Sequence, residues 1–546
     1  MKIGMISKEY PPFFGGGVGT YVYQMSRAFA EAGHEVHVFT VRTGERDDVA
    51  DPPGVHVHRA LYYPPQGAHT GLYGPWTAAN DWLYLARLMY DLVKDFVEHN
   101  ELDVVEVPEW EASAWMLLLD PMWTVLTVVK CHTPTWLLQE INNQPPLRGQ
   151  SIEKLQLALA DGVCAPCTPM ADQVAKRVKT EHPIEIVPYP YYAEDVTSEY
   201  TAPDSKRMIF VGRLEARKGV VTLAKALNPV LDRHPDAEML LVGGDTPTAP
   251  GGGSMGEYVR SLLRPEHRKR VRFIDAMPAD ELFQLHRTAA FFVFPSRFEN
   301  FPNVCLEAMA SGRTAVVTEG TGMVEMLEGA GVVVPPNDDS ALSDAMNALL
   351  DDREKIEQLG KAAYHRLRER FDPQRIVREK VNYYERVNSR NNTDNPIDRR
   401  IQRVGPEVWA EVAPEMAEMM AAMHRGGPSV SKIENDPIVE RILQKVPPAS
   451  GNGYALYGAG RHTAKLLPHL ETLADKGVRI VCVIDDDVRR QGTSVGEVPV
   501  YETEYCAPET VDGVILSSDA MESALWERAE PLRKKGVKVY RLYEFD

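Results

Sequence analysis

The chain has 546 residues, of which 44% are hydrophobic and 25% are charged, and its formal net charge is −18 at pH 7. This length exceeds what a single hydrophobic core supports, so we expect about three domains. The negative charge argues against a protein that binds nucleic acid. No apolar run is long enough to span a membrane, and six cysteines in so long a chain do not form a disulfide framework. We therefore expect a cytoplasmic protein with no signal peptide and no integral membrane segment.

The first predicted domain, residues 1–195, opens with a β-α-β unit. The strand KIGMIS is followed by the loop EYPPFFGGGVG, a helix that ends at Gly33, and a second strand, HEVHVFTV. Such a unit predicts a parallel sheet with a right-handed crossover. Gly15, Gly16 and Gly17 have no Cβ, so the amides of Gly16 and Gly17 could approach a ligand closely at the start of the helix. The loop is neither a P-loop nor a GxGxxG motif, and taken alone it is only moderately specific.

A histidine stands at the end of a later strand of the same domain. The strand TVLTVVK runs into CHTP, which places His132 just beyond the strand's carboxyl end. Open α/β sheets bind ligands at that edge, so His132 is a candidate site residue. The alternative is a histidine that only makes structural hydrogen bonds.

Cys164 and Cys167 form the single CxxC motif of the chain, in GVCAPCTPM. A closed zinc site would need a second CxxC or a nearby pair of histidines, and the sequence has neither. We interpret both residues as small buried or loop thiols, with redox chemistry as the alternative.

The alternation of strands and helices restarts in the second predicted domain, residues 203–386. The strand KRMIFVGRL leads through a turn into the amphipathic helix KGVVTLAKALNPVLDRH. Arg213 and Lys218 stand on either side of this turn. A bidentate guanidinium and a compact ammonium suit a diphosphate, whereas the alternative is a pair of solvated surface charges.

The most informative stretch of this domain is FFVFPSRFENFPNVCLEAMASG, residues 291–312. It predicts a buried strand, a polar loop and a short helix over residues 302–311. Glu299 lies in the loop and Glu307 lies in the helix, so the two carboxylates could grip a sugar that bears a phosphate. Ordinary surface carboxylates are the alternative. The loop end and the amide groups at the helix start are further binding candidates, namely Asn300, Phe301, Asn303 and Val304. Two successive open sheets also imply a ligand cleft between the domains.

Five motifs together resemble a known family. GGGVG, CHTP, FVGRLEARKG, ENFPNVCLEAMASG and the glycine loop TAVVTEGTGMVE resemble, in order and spacing, the retaining GT-B glycosyltransferases of family four. The resemblance implies two Rossmann-like domains that face each other across a cleft, with the acceptor side in residues 1–195 and the donor side in residues 203–386. It also implies metal-independent transfer, with retention and without a cofactor, from a UDP-, GDP- or ADP-sugar. The acceptor would be the hydroxyl of a small molecule or glycan.

The resemblance also implies roles for the basic and glycine residues of the cleft. Arg213 and Lys218 would neutralise the donor diphosphate, and the amides of Gly16 and Gly17 would reach the same phosphates. His132 would contact the sugar from the first domain.

The carboxylates would bind the two ends of the donor on the same resemblance. Glu299 would hold hydroxyls of the transferred sugar, assisted by amides near Phe301 and Asn303, and Glu307 would hold the ribose. The chain departs from the family where relatives carry an Asn-Gly turn after the domain-ending proline, because residues 189–192 read YPYY.

The remaining sequence predicts a connector and a third domain. Residues 387–450 are predicted to be a partly helical linker whose methionine stripe serves packing. Residues 451–546 predict a small Rossmann-like α/β domain. Gly458, Gly460 and Asp485 there form a candidate second nucleotide site, and whether it binds NAD, a nucleotide-sugar or nothing is open.

Two other functions fit the same architecture, since a fold does not fix a function. One is a sugar-nucleotide epimerase. The other is a non-catalytic scaffold that binds a nucleotide-sugar.

Overall fold

The structure is a computed structural model of the chain. The residues that it describes are 1–12, 16–42, 51–62, 77–147, 149–180, 182–192, 205–390, 396–424, 437–458, 463, 466, 469–486, 491–495, 498–517 and 522–542. The chain divides into two compact units, of which the first ends at Glu418 and the second begins at Met419. Gly15 and Gly460 lie outside the described residues. Among the described helices, none combines the length and the apolar character that crossing a membrane requires.

The first sheet is parallel and has seven strands in the order β3-β2-β1-β4-β5-β6-β7. Its central strands are buried along most of their length, which is why they read as continuous apolar runs and not as alternating ones. The strands are β1 (Lys2–Ile6), β2 (Glu35–Arg42), β3 (Val55–Leu61), β4 (Val104–Pro108), β5 (Leu126–Lys130), β6 (Gly162–Ala165) and β7 (Glu185–Ile186).

The second sheet belongs to the same unit and is also parallel, with six strands in the order β10-β9-β8-β11-β12-β13. The strands are β8 (Arg207–Val211), β9 (Glu238–Val242), β10 (Val271–Ile274), β11 (Phe291–Phe294), β12 (Ala315–Thr318) and β13 (Val332–Val334). The prediction of two successive parallel α/β sheets is therefore confirmed.

Sixteen described helices flank the two sheets or follow them in the first unit, the last of them ending just past Glu418. They are α1 (Gly17–Glu31), α2 (Thr77–Val97), α3 (Trp115–Leu119), α4 (Thr135–Ile141), α5 (Gln150–Leu159), α6 (Thr168–Ala175), α7 (Val220–Arg233), α8 (Met255–Leu262), α9 (Ala279–His286), α10 (Asn303–Ala310), α11 (Gly322–Leu327), α12 (Asp339–Asp351), α13 (Arg353–Arg370), α14 (Pro373–Arg390), α15 (Pro396–Arg403) and α16 (Pro406–His424).

Helix α14 follows the second sheet but packs against the first one through a buried ion pair. Lys380 on α14 is 2.7 Å from Glu106 on β4, and both side chains are almost fully buried. Tyr21 and Tyr384 also donate hydrogen bonds to the Glu106 carboxylate, at 2.6 and 2.7 Å. Burial raises the pKa of Glu106, but the charges of Lys380 and Lys130 outweigh that effect and hold the pKa below its usual range. The pair therefore ties the two halves of the first unit together.

Residues beyond α14 also pack on the first sheet. Arg400 on α15 is buried and makes two hydrogen bonds to Asp161, at 3.2 and 2.7 Å, and one to the carbonyl of Trp123, at 3.0 Å. Val408 and Val412 on α16 are buried in the same core. These two helices thus stabilise the first unit, and the methionine side chains from residue 417 onward lie outside the described residues.

The second unit is a separate α/β domain with a six-stranded sheet in the order β16-β17-β15-β14-β18-β19. Only the edge pair β16–β17 is antiparallel among its described strand pairs. The strands are β14 (Tyr454–Tyr457), β15 (Ile480–Ile484), β16 (Ser494–Val495), β17 (Val498–Tyr501), β18 (Gly513–Leu516) and β19 (Val539–Tyr540), and the described helices are α17 (Pro437–Lys445), α18 (Leu470–Asp475), α19 (Glu522–Arg528) and α20 (Glu530–Lys534). The predicted third Rossmann-like domain is confirmed.

We expect Lys380→Met to lower the free energy of unfolding by about 3–5 kcal/mol, because it leaves the buried carboxylate of Glu106 without its cation. The double variant Lys380→Met/Glu106→Gln removes both charges and is expected to recover part of that loss. Urea unfolding followed by circular dichroism measures both values. A double variant less stable than Lys380→Met alone would show that the ion pair does not account for the loss.

Candidate functional site

The candidate site lies at the carboxyl edge of the second sheet, where the strand order reverses. Strand β8 pairs with β9 on one side and with β11 on the other. The loops that follow β8 and β11 therefore leave the sheet next to each other, at the position where open α/β sheets bind ligands.

Backbone contacts join these two loops closely. The amide of Arg297 donates a 2.8 Å hydrogen bond to the carbonyl of Arg217. Gly219 adopts a φ of +72°, and a Cβ at this position would lie 1.9 Å from the carbonyl oxygen of Pro295. Only glycine permits this approach, which brings the turn before α7 against the end of β11.

Five charged side chains of alternating sign cross the two loops, and we call them the charge chain. Arg213 pairs with Glu215 at 3.5 Å, and Glu215 pairs with Arg217 at 2.7 Å. Arg217 in turn lies 3.0 Å from Glu299, which also contacts Lys218. The side chain of Arg213 is 67% exposed, whereas those of Arg217 and Glu299 are each 11% exposed. Arg213 and Lys218, which the sequence places at one turn, thus belong to the same network as Glu299, which it places in another loop.

Glu299 is the buried carboxylate at the centre of this arrangement. Burial alone would raise its pKa, but the charges of Lys218 and Arg217 outweigh burial and hold the pKa below its usual range. Ser296 adds a hydrogen bond of 3.4 Å to the same carboxylate oxygen. Glu299 is therefore ionised at neutral pH and can accept hydrogen bonds from sugar hydroxyls.

Glu307 has the opposite environment. Its Oε2 atom is buried and has no hydrogen-bond partner among the described residues. Burial raises the pKa of Glu307 to about 7, from an ordinary value of 4.5. A buried carboxyl oxygen without a partner is costly, and a ligand hydroxyl would satisfy it.

Helix α10 begins one residue later than the sequence predicts. Pro302 is the N-cap, in extended conformation, so the helix runs over Asn303–Ala310 instead of residues 302–311. Asn303 and Val304 are half-buried at its first turn. The side chain of Phe301 is buried between Tyr189 and Phe371, with ring centroids 5.1 and 5.5 Å away.

Asn300 connects the two halves of the first unit. Its side-chain amide donates a hydrogen bond to the carbonyl of His132, and Cys167 Sγ lies 3.2 Å from its Oδ1 atom. The backbone amide of Thr168 makes a second hydrogen bond between the two halves, to the carboxylate of Glu325 at 3.1 Å. The structure thus places the Asn300 side chain in a contact between domains, a role that the sequence analysis did not anticipate.

His132 lies on the first-sheet side of this contact and is buried. Its Nδ1 atom is 2.6 Å from the hydroxyl of Tyr189, and its backbone amide donates to the carboxylate of Glu109 at 2.7 Å. Burial, together with the charges of Lys130 and Lys380, lowers the pKa of His132 well below its usual range. The ring is therefore neutral, and its Nε2 atom has no hydrogen-bond partner among the described residues.

Helix α1 starts at the glycine loop with a carboxylate of the chain beside it. Gly16 is the N-cap, and Glu9 accepts a 3.3 Å hydrogen bond from the amide of Gly19. A Cβ on Gly16 would lie 2.7 Å from Glu9 Oε2, whereas one on Gly17 would meet nothing within 4 Å. The sequence analysis missed this carboxylate, which lies where phosphates were expected to approach.

The CxxC motif forms no disulfide. Cys164 and Cys167 are both buried thiols, and Lys380 donates a 3.2 Å hydrogen bond to Cys164 Sγ. Burial raises the pKa of Cys167 to about 12. Because a thiol with so high a pKa is not a nucleophile at neutral pH, this geometry agrees with buried structural thiols.

The candidate nucleotide site of the second unit is described only in part. Gly458 follows β14 with a φ of +102°. The hydroxyl of Tyr457 donates its proton to the carboxylate of Asp486, next to Asp485, and lies 2.8 and 2.7 Å from the two carboxylate oxygens. Nucleotide binding at Gly458, Gly460 and Asp485 stays a prediction.

Arg217 is the functional candidate that the sequence analysis overlooked. The available signal was its position in EARKG, next to Lys218, at a turn already singled out for its charges. The turn carries several cations, and the sequence does not show which of them pairs with a carboxylate, because only the fold brings Glu299 next to Arg217.

We expect Glu307→Gln to increase the free energy of unfolding by about 3 kcal/mol at pH 8 and by about 1 kcal/mol at pH 5. The pKa of Glu307 is higher in the folded protein than in the unfolded chain. Its stabilising proton is therefore fully bound below about pH 4.5 and is lost as the pH rises through 7. Urea unfolding of the variant and the wild type at both pH values measures the difference. If the variant's gain in stability over wild type were no larger at pH 8 than at pH 5, the raised pKa of Glu307 would be wrong.

The comparisons with known proteins agree with this geometry. Residues 16–190 match the family described as glycosyl transferase 4-like domain, and residues 205–352 match glycosyl transferases group 1. A glycogen synthase of Mycobacterium tuberculosis is 27% identical over 409 residues, which cover 70% of this chain and 94% of the relative. Neither the matched families nor this relative supports the epimerase alternative.

Solved structures show the same fold. A sucrose-phosphate synthase from Thermosynechococcus elongatus superposes with a TM-score of 0.58 at 22% identity, covering 71% of this chain and 99% of that one. A trehalose-6-phosphate protein from E. coli, bound with UDP-2-fluoro glucose, superposes with a TM-score of 0.51 at 14% identity, covering 70% and 99%. The first unit therefore carries a glycosyl transferase 4-like domain and a glycosyl transferases group 1 domain, and its two sheets are the two halves of a GT-B fold.

Proposed function

We propose that this protein transfers a sugar from a nucleotide-sugar to a hydroxyl of a small molecule or glycan, with retention of anomeric configuration and without a metal ion. The observation that carries the proposal is the charge chain at the reversal point of the second sheet, in a chain of this family. It brings Arg213, Lys218 and the ionised carboxylate of Glu299 to one place, which suits a diphosphate attached to a sugar.

The cations serve the leaving group. As the bond between the sugar and the diphosphate breaks, negative charge grows on the diphosphate oxygens. Arg213 and Lys218 would stabilise that charge, so the reaction would not need a metal ion. The side chain of Arg213 is 67% exposed, so a ligand could approach it directly.

The carboxylates serve recognition. Glu299, ionised and fixed, would accept hydrogen bonds from hydroxyls of the transferred sugar, with the amides near Phe301 and Asn303 assisting. The unpartnered oxygen of Glu307 would accept from the ribose hydroxyls. The neutral ring of His132 would contact the sugar through its free Nε2 atom, and the amides of Gly16 and Gly17 would approach the phosphates.

Retention is proposed from the resemblance to the retaining families. The acceptor hydroxyl would attack the face from which the diphosphate departs and pass its proton to a phosphate oxygen. The contacts of Asn300 with His132 and Cys167 join the two halves at this point, which would limit the access of water to the reaction.

The donor is the first experimental question. The E. coli protein with the same fold binds a UDP-sugar analogue, so UDP and UDP-glucose are the first probes. A thermal-shift panel on the full chain, with UDP, GDP, ADP, their glucose conjugates and NAD, would identify the base. We expect one nucleotide family to raise the midpoint of unfolding, and the shift to diminish in Glu307→Gln. Absence of a shift with any nucleotide or conjugate of the panel would contradict the proposal.

Retention and metal independence have separate tests. Proton NMR of the product formed from the identified donor should show the anomeric configuration of that donor. Turnover should be unchanged by EDTA. An inverted product or a loss of activity that Mg²⁺ or Mn²⁺ restores would contradict the corresponding part of the proposal.

We expect Lys218→Ala to slow turnover by a factor that corresponds to about 2–4 kcal/mol of transition-state stabilisation, because a fixed charge near the diphosphate is lost. Lys225→Ala is the matched control, since Lys225 is an exposed lysine on the adjoining helix α7. Initial rates with the identified donor measure both. Equal turnover of Lys218→Ala and wild type would remove Lys218 from the mechanism.

A further inference from the structure

The charge chain has a cation at each end and Arg217 in the middle. Its order in space is Arg213, Glu215, Arg217, Glu299 and Lys218. Each end cation contacts a carboxylate of the protein, Arg213 that of Glu215 and Lys218 that of Glu299. Arg217 differs from both because it contacts the two carboxylates at once.

A diphosphate would compete for the two end cations. The diphosphate of a nucleotide-sugar carries about two negative charges, and a Lys ammonium that turns toward it gives up part of its contact with Glu299. Of the contacts that the described residues make with the Glu299 carboxylate, those of Arg217 and Ser296 would then remain. A buried carboxylate that loses its cation becomes protonated or moves toward solvent.

The guanidinium of Arg217 is built to prevent that outcome. Its Nη1 atom donates to Glu299 at 3.0 Å and to the carbonyl of Phe298 at 3.1 Å, while Nη2 donates to Glu215 at 2.7 Å. The side chain is only 11% exposed. A planar fork with several donors can hold both carboxylates and the loop backbone together, which a lysine ammonium at the same place cannot do.

We propose that Arg217 is the positioning residue that keeps Glu299 ionised and in place when the donor diphosphate draws Lys218 away. Sugar recognition then depends on Arg217, whereas nucleotide recognition does not. The inference rests on the proposed function, because it takes Glu299 as the group that holds the sugar. It assigns Arg217 no contact with the donor.

The test compares the affinities for UDP and UDP-glucose, measured by calorimetry on the full chain. The variants are Arg217→Met, which removes the charge, and Arg217→Lys, which keeps the charge without the fork. Arg207→Met is the matched control, since Arg207 forms a partly buried ion pair with Glu238 at the opposite end of β8.

We expect Arg217→Met to weaken UDP-glucose binding by on the order of tenfold or more, the effect of losing a hydrogen bond to a charged group, and to leave UDP binding close to that of wild type. Arg217→Lys should lie between the two, and Arg207→Met should change neither affinity. As the pH is lowered, Arg217→Met should also lose its preference for UDP-glucose over UDP at a higher pH than wild type does. The reason is that the Glu299 carboxylate protonates more readily without the charge of Arg217.

Two results would overturn the inference. Equal weakening of both ligands would mean that Arg217 acts on the nucleotide or on the fold, and unchanged preference for UDP-glucose would mean that Glu299 does not need it. If Arg217→Met fails to fold, Glu215→Gln loosens Arg217 from its other side and should reduce the same preference to a smaller extent. Wild-type protein that binds neither UDP nor UDP-glucose, nor another conjugate of the donor panel, would refute the proposed function first and this inference with it.

Discussion

The site depends on one electrostatic requirement, which is that the buried carboxylate of Glu299 stay ionised. Removing a carboxylate from water favours its neutral form, so the charge persists only with cations at hydrogen-bond distance. Lys218 and Arg217 meet this requirement from the neighbouring loop. Gly219 permits the close approach of that loop, and the approach therefore serves to keep Glu299 charged as well as to pack the two loops together.

The two halves of the GT-B fold are held by polar contacts that are themselves buried. Glu106 and Lys380 join β4 to α14, and Asn300 joins the second sheet to the loop of His132. Buried polar contacts tolerate little change in geometry, since a broken one leaves an unsatisfied group. These contacts therefore constrain how the two halves sit against each other next to the loop of Asn300.

Glu299 and Glu307 illustrate two treatments of a carboxylate in one site. The negative charge of Glu299 is compensated by Lys218 and Arg217, which hold its pKa low. Glu307 has an oxygen without a hydrogen-bond partner among the described residues, and burial raises its pKa. An unsatisfied group costs stability in the free protein, and sites that bind ligands often carry such a cost. Within the proposed function, Glu299 would therefore bind the sugar as a carboxylate that is already held in place. Glu307 would gain a hydrogen-bond partner only when the ligand binds.

The sequence by itself determined the fold class and most of the candidate residues. Apolar runs separated by glycine turns predicted three α/β sheets, because a buried parallel strand must be apolar on both faces. His132, Glu299 and Glu307 were found because strand ends and helix starts are visible in the chain as local patterns.

Only the tertiary structure decided which partners those residues have. Arg217 and Glu299 are 82 residues apart in sequence, Tyr189 and His132 are 57 apart, and Asn300 and His132 are 168 apart. No local pattern relates residues at such distances, because the strand order within each sheet and the packing of the two halves bring them together. Ionisation and hydrogen bonding depend on neighbours within a few ångströms, so the protonation states of the site could not be read from the sequence.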